Sequence, residues 1–178
     1  MVEKRSSGKL EVSLPSDKEI LLTRVFDAPR HLVFETMTKV DYVRRWWCCM
    51  DGFKMTVCDI DLRVGGKYRY VMVGPDGNEV GFRGEYRELV IPERIVHTEI
   101  FEPFPDNPAL VTLTLEERDG KTFYRSLVLH DSKEARDMHV NSGMEVGANL
   151  ALDRLEEVAR SLSGTNRGSG TSATHSQA

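Results

Sequence analysis

The central stretch of the sequence reads Asp59-Ile60-Asp61-Leu62-Arg63-Val64-Gly65-Gly66-Lys67-Tyr68-Arg69-Tyr70. Its character changes at the glycine pair, from a segment rich in acids and arginine to a strict alternation of side chains. This alternation predicts a β-strand with Tyr68, Tyr70 and Met72 on one face. The glycine pair gives the backbone a freedom that side chains would remove, which predicts a kink or turn. Taken alone, the stretch fits either a plain β-hairpin or a strand whose aromatic face lines a pocket.

The composition indicates one globular domain. The chain has 178 residues, of which 40% are hydrophobic and 29% are charged, and its formal net charge is −4. This length supports one sizeable core, and the mixed charges lack the basic surplus that is typical of nucleic-acid-binding proteins. No apolar run approaches the roughly 18 residues of a membrane span, and the N-terminus lacks the apolar segment of a signal peptide. We therefore expect a cytoplasmic protein that neither binds nucleic acid nor inserts into membranes.

The three cysteines, Cys48, Cys49 and Cys58, do not follow a disulfide or zinc pattern. Two of them are adjacent, their number is odd, and no Cys-x-x-Cys pair is present. The histidines also lack the helical spacing of paired metal ligands. We expect reduced, partly buried thiols, no metal site and no cofactor.

The two ends of the chain differ in character from its middle. Residues 1–18 are polar and contain Pro15, which predicts a flexible lead-in. Residues 163–178 contain no large apolar side chain, which predicts a disordered tail because such a segment cannot bury enough surface to offset its ordering entropy. Residues 19–162 form the predicted domain. Within it the patterns predict strands at Ile20–Phe26, Lys54–Asp59, Lys67–Val73, Val80–Val90, Arg94–Phe101, Leu110–Glu117 and Lys121–His130.

Turn signals between these strands predict an antiparallel meander. Gly74-Pro75-Asp76-Gly77 and Asp119-Gly120 have the composition of tight turns, and three prolines exclude residues 102–108 from a central strand. Two short helices are predicted after the first strand, the first capped by Asp27 and the second reaching Trp47. The expected fold is α+β, a curved seven-stranded antiparallel sheet wrapped around a long C-terminal helix.

The last predicted element is a single helix from about Ser132 to Leu162, capped by Asp131 and ended by Gly164. Its apolar face turns polar toward the N-terminal end, where it reaches Asn141. That end is therefore either frayed and exposed or the wall of a wet pocket. The opposite face carries Val146 and Leu150, two residues that could contribute to a homodimer contact. The apolar face itself consists of Met144, Ala148, Ala151, Leu152, Leu155, Ala159 and Leu162.

Alternation places a mixture of aromatic and polar side chains on the inner face of the sheet, including His97, Glu99 and Ser126. A dry core would contain fewer polar atoms, since each buried one needs a partner. An apolar cavity with a few converging polar groups is instead typical of a small-molecule site. We expect one tryptophan to pack under the long helix and the other to contact a ligand. The predicted ligand-binding residues are Trp46, Trp47, Arg63, Tyr68, Tyr70, Met72, Phe82, Tyr86, His97, Glu99, Phe101, Ser126, Asn141 and Met144.

Several motifs along residues 19–162 carry a family resemblance. They are Thr23-Arg24-Val25-Phe26-Asp27-Ala28-Pro29-Arg30, Val33-Phe34, Trp46-Trp47, Asp61-Leu62-Arg63-x-Gly65-Gly66, Gly84-x-Tyr86-Arg87-Glu88, Pro92-Glu93-Arg94-Ile95-Val96-His97-Thr98-Glu99 and Ser142-Gly143-Met144-x-x-Gly147 through Asp153-Arg154-Leu155. Together they resemble the SRPBCC, or START-like, superfamily, in particular the homologues of the activator of the ninety-kilodalton heat-shock protein ATPase. The resemblance implies a helix-grip fold, a deep cavity suited to hydrophobic ligands, and frequent homodimers. It implies no single activity.

The chemistry of the inner face leaves three functions open. We expect a non-catalytic binder of a small hydrophobic molecule, either aromatic or lipid-like. A cyclase- or isomerase-like enzyme is the second hypothesis, with Glu99 as the acid/base group and Asp59 as a further candidate. The competing interpretation of Glu99 is an ion pair with Arg63 or another arginine. A co-chaperone with a chaperone partner is the third hypothesis. His130 and His139 are predicted to be surface or capping residues.

Overall fold

The computed structural model describes residues 8–48 and 50–165. Over this part of the chain it contains one antiparallel sheet of eight strands and four helices. The strands are β1 (Glu11–Ser13), β2 (Glu19–Phe26), β3 (Lys54–Ile60), β4 (Lys67–Val73), β5 (Glu79–Val90), β6 (Arg94–Phe101), β7 (Ala109–Arg118) and β8 (Lys121–His130). The helices are α1 (Arg30–Thr38), α2 (Val40–Trp46), α3 (Lys133–Asn141) and α4 (Met144–Thr165). The order in the sheet is β1-β2-β8-β7-β6-β5-β4-β3, which confirms the α+β meander and the helix-grip arrangement.

The sheet has eight strands, so the prediction of seven is wrong by one. Part of the expected lead-in forms β1 and pairs antiparallel with β2, with Glu11 opposite Thr23. Leu10, which precedes β1, is buried. Leu10, Val12 and Leu14 alternate here, but Pro15 follows directly, and this pattern is too short to distinguish a strand from a loop. Residues 1–7 of the expected lead-in lie outside the described residues.

The predicted turns connect the strands as expected. Asp119 and Gly120 both have positive φ, 53° and 74°, in the two-residue hairpin between β7 and β8. The Gly77 N–H donates to the Gly74 carbonyl 2.9 Å away, which closes the turn between β4 and β5. The proline-rich residues 102–108 form the connection from β6 to β7.

The predicted C-terminal helix is broken into two helices. The Ser132 hydroxyl oxygen accepts a hydrogen bond from the Ala135 N–H at 3.1 Å, so Ser132 caps α3 and Asp131 does not. The chain leaves the helix at Gly143, whose φ is +82°, a conformation that ends helices and favours glycine. α4 then continues through Gly164 to Thr165, so the predicted stop at Gly164 is also wrong. The rest of the expected tail, 166–178, lies outside the described residues.

Polar and apolar contacts hold α4 on the sheet. Leu155 and Ala159 on its inner face are completely buried. The buried Arg24 guanidinium on β2 donates to the Asp153 carboxylate on α4 at 2.6 Å. The Asp27 N–H donates to the carboxylate of the buried Glu156 at 3.1 Å. Asp27 was expected to be the N-cap of α1, but Pro29 holds that position. Among the described residues, no helix is long and apolar enough to cross a membrane.

Candidate ligand cavity

A cavity of about 380 Å³ lies between the inner face of the sheet and the N-terminal half of α4. β2 and β4 to β8 supply its floor and walls, and the exposed side chain of Met50 marks its opening. Most of the predicted ligand-binding residues contribute to its lining. They are Trp46, Trp47, Tyr68, Tyr70, Met72, Phe82, Tyr86, His97, Glu99, Ser126 and Met144.

Four predicted site residues lie outside this cavity. Arg63 is in the exposed loop between β3 and β4, where its Nε donates to the Asp61 carboxylate at 2.8 Å. Asp59 points to solvent, because the preceding residue, Cys58, is buried and successive side chains of β3 point to opposite faces of the sheet. Asn141 is exposed because the helix breaks directly after it. Phe101 lines a second, smaller cavity of about 120 Å³. The prediction that Arg63, Phe101 and Asn141 line the main cavity is wrong, and Asp59, the further acid/base candidate, does not reach it.

An aromatic wall forms one side of the main cavity. The Trp47 ring centroid lies 4.8 Å from that of Tyr70 and 5.5 Å from that of Phe82. Tyr70 stands directly opposite Phe82 in the pairing of β4 and β5, which brings their same-face side chains together. The neighbouring Trp46 is buried and donates its indole N–H to the Thr36 carbonyl at 2.8 Å. Trp46 therefore braces α1 against α2, and Trp47 contributes to the wall.

A hydrogen-bonded cluster lies deeper, around Tyr68. Its hydroxyl donates to the Thr98 carbonyl at 2.8 Å and lies 3.1 Å from His97 Nδ1. Gly84 stands opposite Tyr68 in the sheet, and a Cβ there would lie 2.7 Å from the Tyr68 ring and hydroxyl. The space at Gly84 is therefore filled by Tyr68. Burial raises the pKa of Tyr68 well above its ordinary value and lowers that of His97, so both are neutral near pH 7.

Glu99 is the acidic side chain of the cavity lining. Together with Phe82 and His139 it borders both the main cavity and the smaller one. Burial raises the pKa of its carboxyl from 4.5 to about 7. Among residues 8–48 and 50–165, no salt bridge joins Glu99 to a basic side chain. The interpretation of Glu99 as the ion-pair partner of Arg63 is therefore wrong, since Arg63 pairs with Asp61 at the surface.

A histidine pair closes the smaller cavity, and the prediction of surface histidines is wrong for it. His130 Nε2 lies 2.9 Å from His139 Nδ1, and His130 is buried. Burial lowers the pKa of both rings, and the neighbouring His130 helps to lower that of His139 to about 4. The alternation of Tyr124, Ser126 and Val128 along β8 continues to His130, so the period of two is the signal that could have found it.

Small residues on α4 also line the cavity, a role that their place on an apolar helix face did not predict. Gly147, Ala148 and Ala151 face the sheet from the first turns of α4. Their short side chains keep α4 from filling the space above the aromatic wall. A helix face that changes from alanine and glycine to leucine is the signal in the sequence, because only the leucine end can fill a core.

The described ranges offer neither a metal site nor a reactive thiol at the cavity. No cluster of three or more histidine, cysteine or acidic side chains within them could hold a metal ion. Cys58 is a buried free thiol, and its burial raises the pKa of the sulfur. Cys49 lies outside the described residues. The arrangement can thus enclose an apolar molecule and present to it one titratable carboxyl and several hydroxyls.

Comparison with solved structures finds the same architecture in several bacterial proteins. A Rhodobacter sphaeroides protein superposes with a TM-score of 0.80 at 25% identity, over 86% of this chain and 99% of its own. A Mycobacterium smegmatis protein gives 0.73 at 24% identity, over 93% and 98% of the two chains. An AHSA1-like protein from Aeromonas hydrophila gives 0.62 at 16% identity, over 87% and 99%. No functionally curated protein matches the sequence.

The sequence itself matches one family model. Residues 27–160 correspond to the family described as Activator of Hsp90 ATPase homolog 1-like protein, a branch of the SRPBCC superfamily. The matched segment runs from the end of β2 into the last turns of α4 and includes nearly all of the cavity lining. The chain therefore belongs to the Activator of Hsp90 ATPase homolog 1-like family.

Proposed function

We propose that this protein is a cytoplasmic, non-catalytic binder of a small hydrophobic molecule, which it holds between the sheet and α4. The observation that carries the proposal is the cavity of about 380 Å³ lined by Trp47, Tyr70, Phe82 and Met144. Its size and mainly apolar lining, with few polar groups, are typical of small-molecule sites. The ligand-binding role of the lining residues is part of this proposal.

The hydrogen-bond pattern supports binding in preference to catalysis. The Tyr68 hydroxyl and His97 Nδ1 are engaged with each other and with the Thr98 carbonyl. Groups that hold one another in this way fix the position of the cavity wall, which supports a binding role for them. A ligand that fills the cavity would bury apolar surface, and each Å² removed from water would stabilise the complex by about 25 cal/mol.

Two measurements test the binding proposal. Mass spectrometry of the protein purified under native conditions would identify retained small molecules without prior assumption. Titration with uncharged aromatic and lipid-like molecules should change tryptophan fluorescence, and Trp47→Phe should reduce that change because Trp47 contributes to the aromatic wall. In Trp46→Phe the remaining tryptophan emission comes from Trp47 alone, so a change that persists in this variant is assigned to the aromatic wall. A protein that retains nothing and responds to none of these probes would contradict the proposal.

A second candidate function is a cyclase- or isomerase-like enzyme with Glu99 as its acid/base group. The observation in its favour is the pKa of about 7, which suits a group that exchanges protons at neutral pH. For such an enzyme, Glu99→Gln should abolish turnover and leave the binding of a neutral ligand intact. Unchanged turnover in the variant would exclude this role.

Partners form the last part of the proposal. Val146 and Leu150 are exposed on the outer face of α4, 67% and 47% respectively, and we propose them as part of a homodimer contact. Val146→Glu should then shift the sedimentation of the protein toward the monomer. The family description also makes a chaperone partner a candidate. Copurification with the host's chaperones, and stimulation of their ATPase activity, would test that role.

A further inference from the structure

We infer that the cavity ligand is a hydrophobic amine, whose ammonium group binds between Glu99 and the aromatic wall formed by Trp47, Tyr70 and Phe82. This inference rests on the proposed binding function and specifies the ligand's chemical class. It follows from the acidic and aromatic side chains that the cavity presents to the polar end of a ligand.

The first step is the unpaired acid. Glu99 lies where the two cavities meet, and the described residues that line them include no lysine or arginine. The histidines around it have lowered pKa values because they are buried, so they supply no positive charge near pH 7. A carboxylate removed from water needs a cation or several hydrogen-bond donors, and without them it keeps its proton to a higher pH. In the described chain no such cation faces Glu99, so the ligand is the group that can supply one.

The second step is the aromatic wall. Trp47 lies 4.8 Å from Tyr70 and 5.5 Å from Phe82, with the rings inclined to one another. Phe82 borders both cavities, as Glu99 does. Aromatic faces carry negative charge density and attract cations, most strongly where water is excluded. The Glu99 carboxylate and the rings of the aromatic wall therefore both favour a positively charged group on the ligand.

The third step concerns ligands of the opposite charge. A carboxylate or phosphate needs guanidinium, ammonium or clustered N–H donors. Among the described residues, the polar side-chain groups of the lining are tyrosine hydroxyls, indole N–H groups, neutral imidazoles, Thr38, Ser126 and Glu99. They include no cation, and Glu99 would repel an anion. A neutral hydrocarbon fits the apolar part of the cavity and leaves Glu99 without a partner.

The test uses three probes of nearly equal size, naphthylmethylamine, methylnaphthalene and naphthoate, titrated by isothermal calorimetry. At about pH 8 the amine is protonated and Glu99 is ionised. The amine should bind at least about tenfold tighter than methylnaphthalene, as expected for a hydrogen bond to a charged group. Naphthoate should bind most weakly of the three. This comparison needs only the unmodified protein.

Glu99→Gln should remove the preference for the amine and change the methylnaphthalene affinity less than twofold. Glu145→Gln removes the same charge from the exposed side of α4 and should preserve the preference for the amine. If methylnaphthalene binds and the amine shows no advantage, or if Glu99→Gln retains the advantage, this inference is overturned and the binding function stands. If no probe binds the unmodified protein, the binding function fails as well.

Discussion

The ring of Tyr68 occupies the space that a side chain at Gly84 would need. Gly84 stands directly opposite Tyr68 in the pairing of β4 with β5, and a Cβ on it would also overlap the Thr98 carbonyl oxygen. The missing side chain thus allows the Tyr68 hydroxyl to reach Thr98 and His97. One glycine on a long strand positions the polar cluster of the cavity.

Gly84→Ala is expected to destabilise the protein by about 2 kcal/mol, because the added methyl group must displace Tyr68 or the backbone of β6. The urea midpoint of unfolding measures this change. Gly147→Ala on α4 is the matched control, since no atom lies within 4 Å of the position that its Cβ would take, and it should stabilise the helix by up to about 1 kcal/mol. An unchanged midpoint for Gly84→Ala would show that Tyr68 does not depend on this space.

Asp153→Ala is expected to destabilise the protein by about 2 to 3 kcal/mol, because it removes an anionic partner of the buried Arg24 guanidinium. Urea unfolding measures the loss. The control is Glu157→Ala in the exposed pair with Arg154, where the atoms are 3.6 Å apart and the expected change is below about 1 kcal/mol. Equal effects of the two variants would show that burial of Arg24 does not strengthen its pair.

The sequence predicts the inner face of the sheet well. Tyr68 and Ser126 lie on strands that alternate buried and exposed side chains around them, and both line the cavity as expected. Tyr86 also lines it, although the register of β5 shifts at this residue. Strict alternation leaves one register compatible with a buried apolar face, so local pattern and tertiary packing agree. Arg63 and Asn141 could not be placed in this way, because each follows or ends an element and its direction depends on the loop.

The break between α3 and α4 illustrates a second limit. Gly143, Gly147 and Gly164 all fall within one helical pattern, and only Gly143 adopts a positive φ. Helix propensity ranks the three equally. α3, on the N-terminal side of Gly143, packs against β8, where His139 meets His130, and this tertiary contact distinguishes Gly143 from the other two glycines. That contact joins residues of two elements, so no pattern within either element reveals it.

His139→Gln is expected to flatten the acid side of the stability profile. Burial and His130 lower the pKa of His139 from 6.5 to about 4, so the unfolded chain binds this proton more readily than the folded one. The stability it contributes is complete above pH 6.5 and is lost as the pH falls toward about 4, by about 3 kcal/mol. Urea unfolding at several pH values measures the slope. An identical slope in the variant and the wild type would show that burial and His130 do not lower the pKa of His139.

Ala151→Leu is expected to fill the cavity and to weaken methylnaphthalene binding at least about tenfold without loss of stability. Ala151 faces the cavity from α4, so the larger side chain replaces empty space and adds about 2 kcal/mol of apolar burial at most. Val146→Leu on the exposed face of the same helix is the control and should leave affinity unchanged. Isothermal calorimetry with methylnaphthalene and urea unfolding provide the two measurements. Unaltered affinity in Ala151→Leu would place the ligand elsewhere.

Glu99→Gln is expected to stabilise the unliganded protein at high pH. The titratable side chains that face this carboxyl are Tyr68, Tyr70, Tyr86, His97, Tyr124, His130 and His139. Burial raises the pKa of Glu99 from 4.5 to about 7, so the folded protein holds its proton longer than the unfolded chain. The wild type therefore loses stability as the pH rises from 4.5 through about 7, by about 3 kcal/mol, and the variant does not. The difference between the two urea unfolding profiles cancels the histidine contributions that both proteins share. A constant difference from pH 4.5 to 8 would show that Glu99 titrates alike in the folded and unfolded states and is not held in a desolvated cavity.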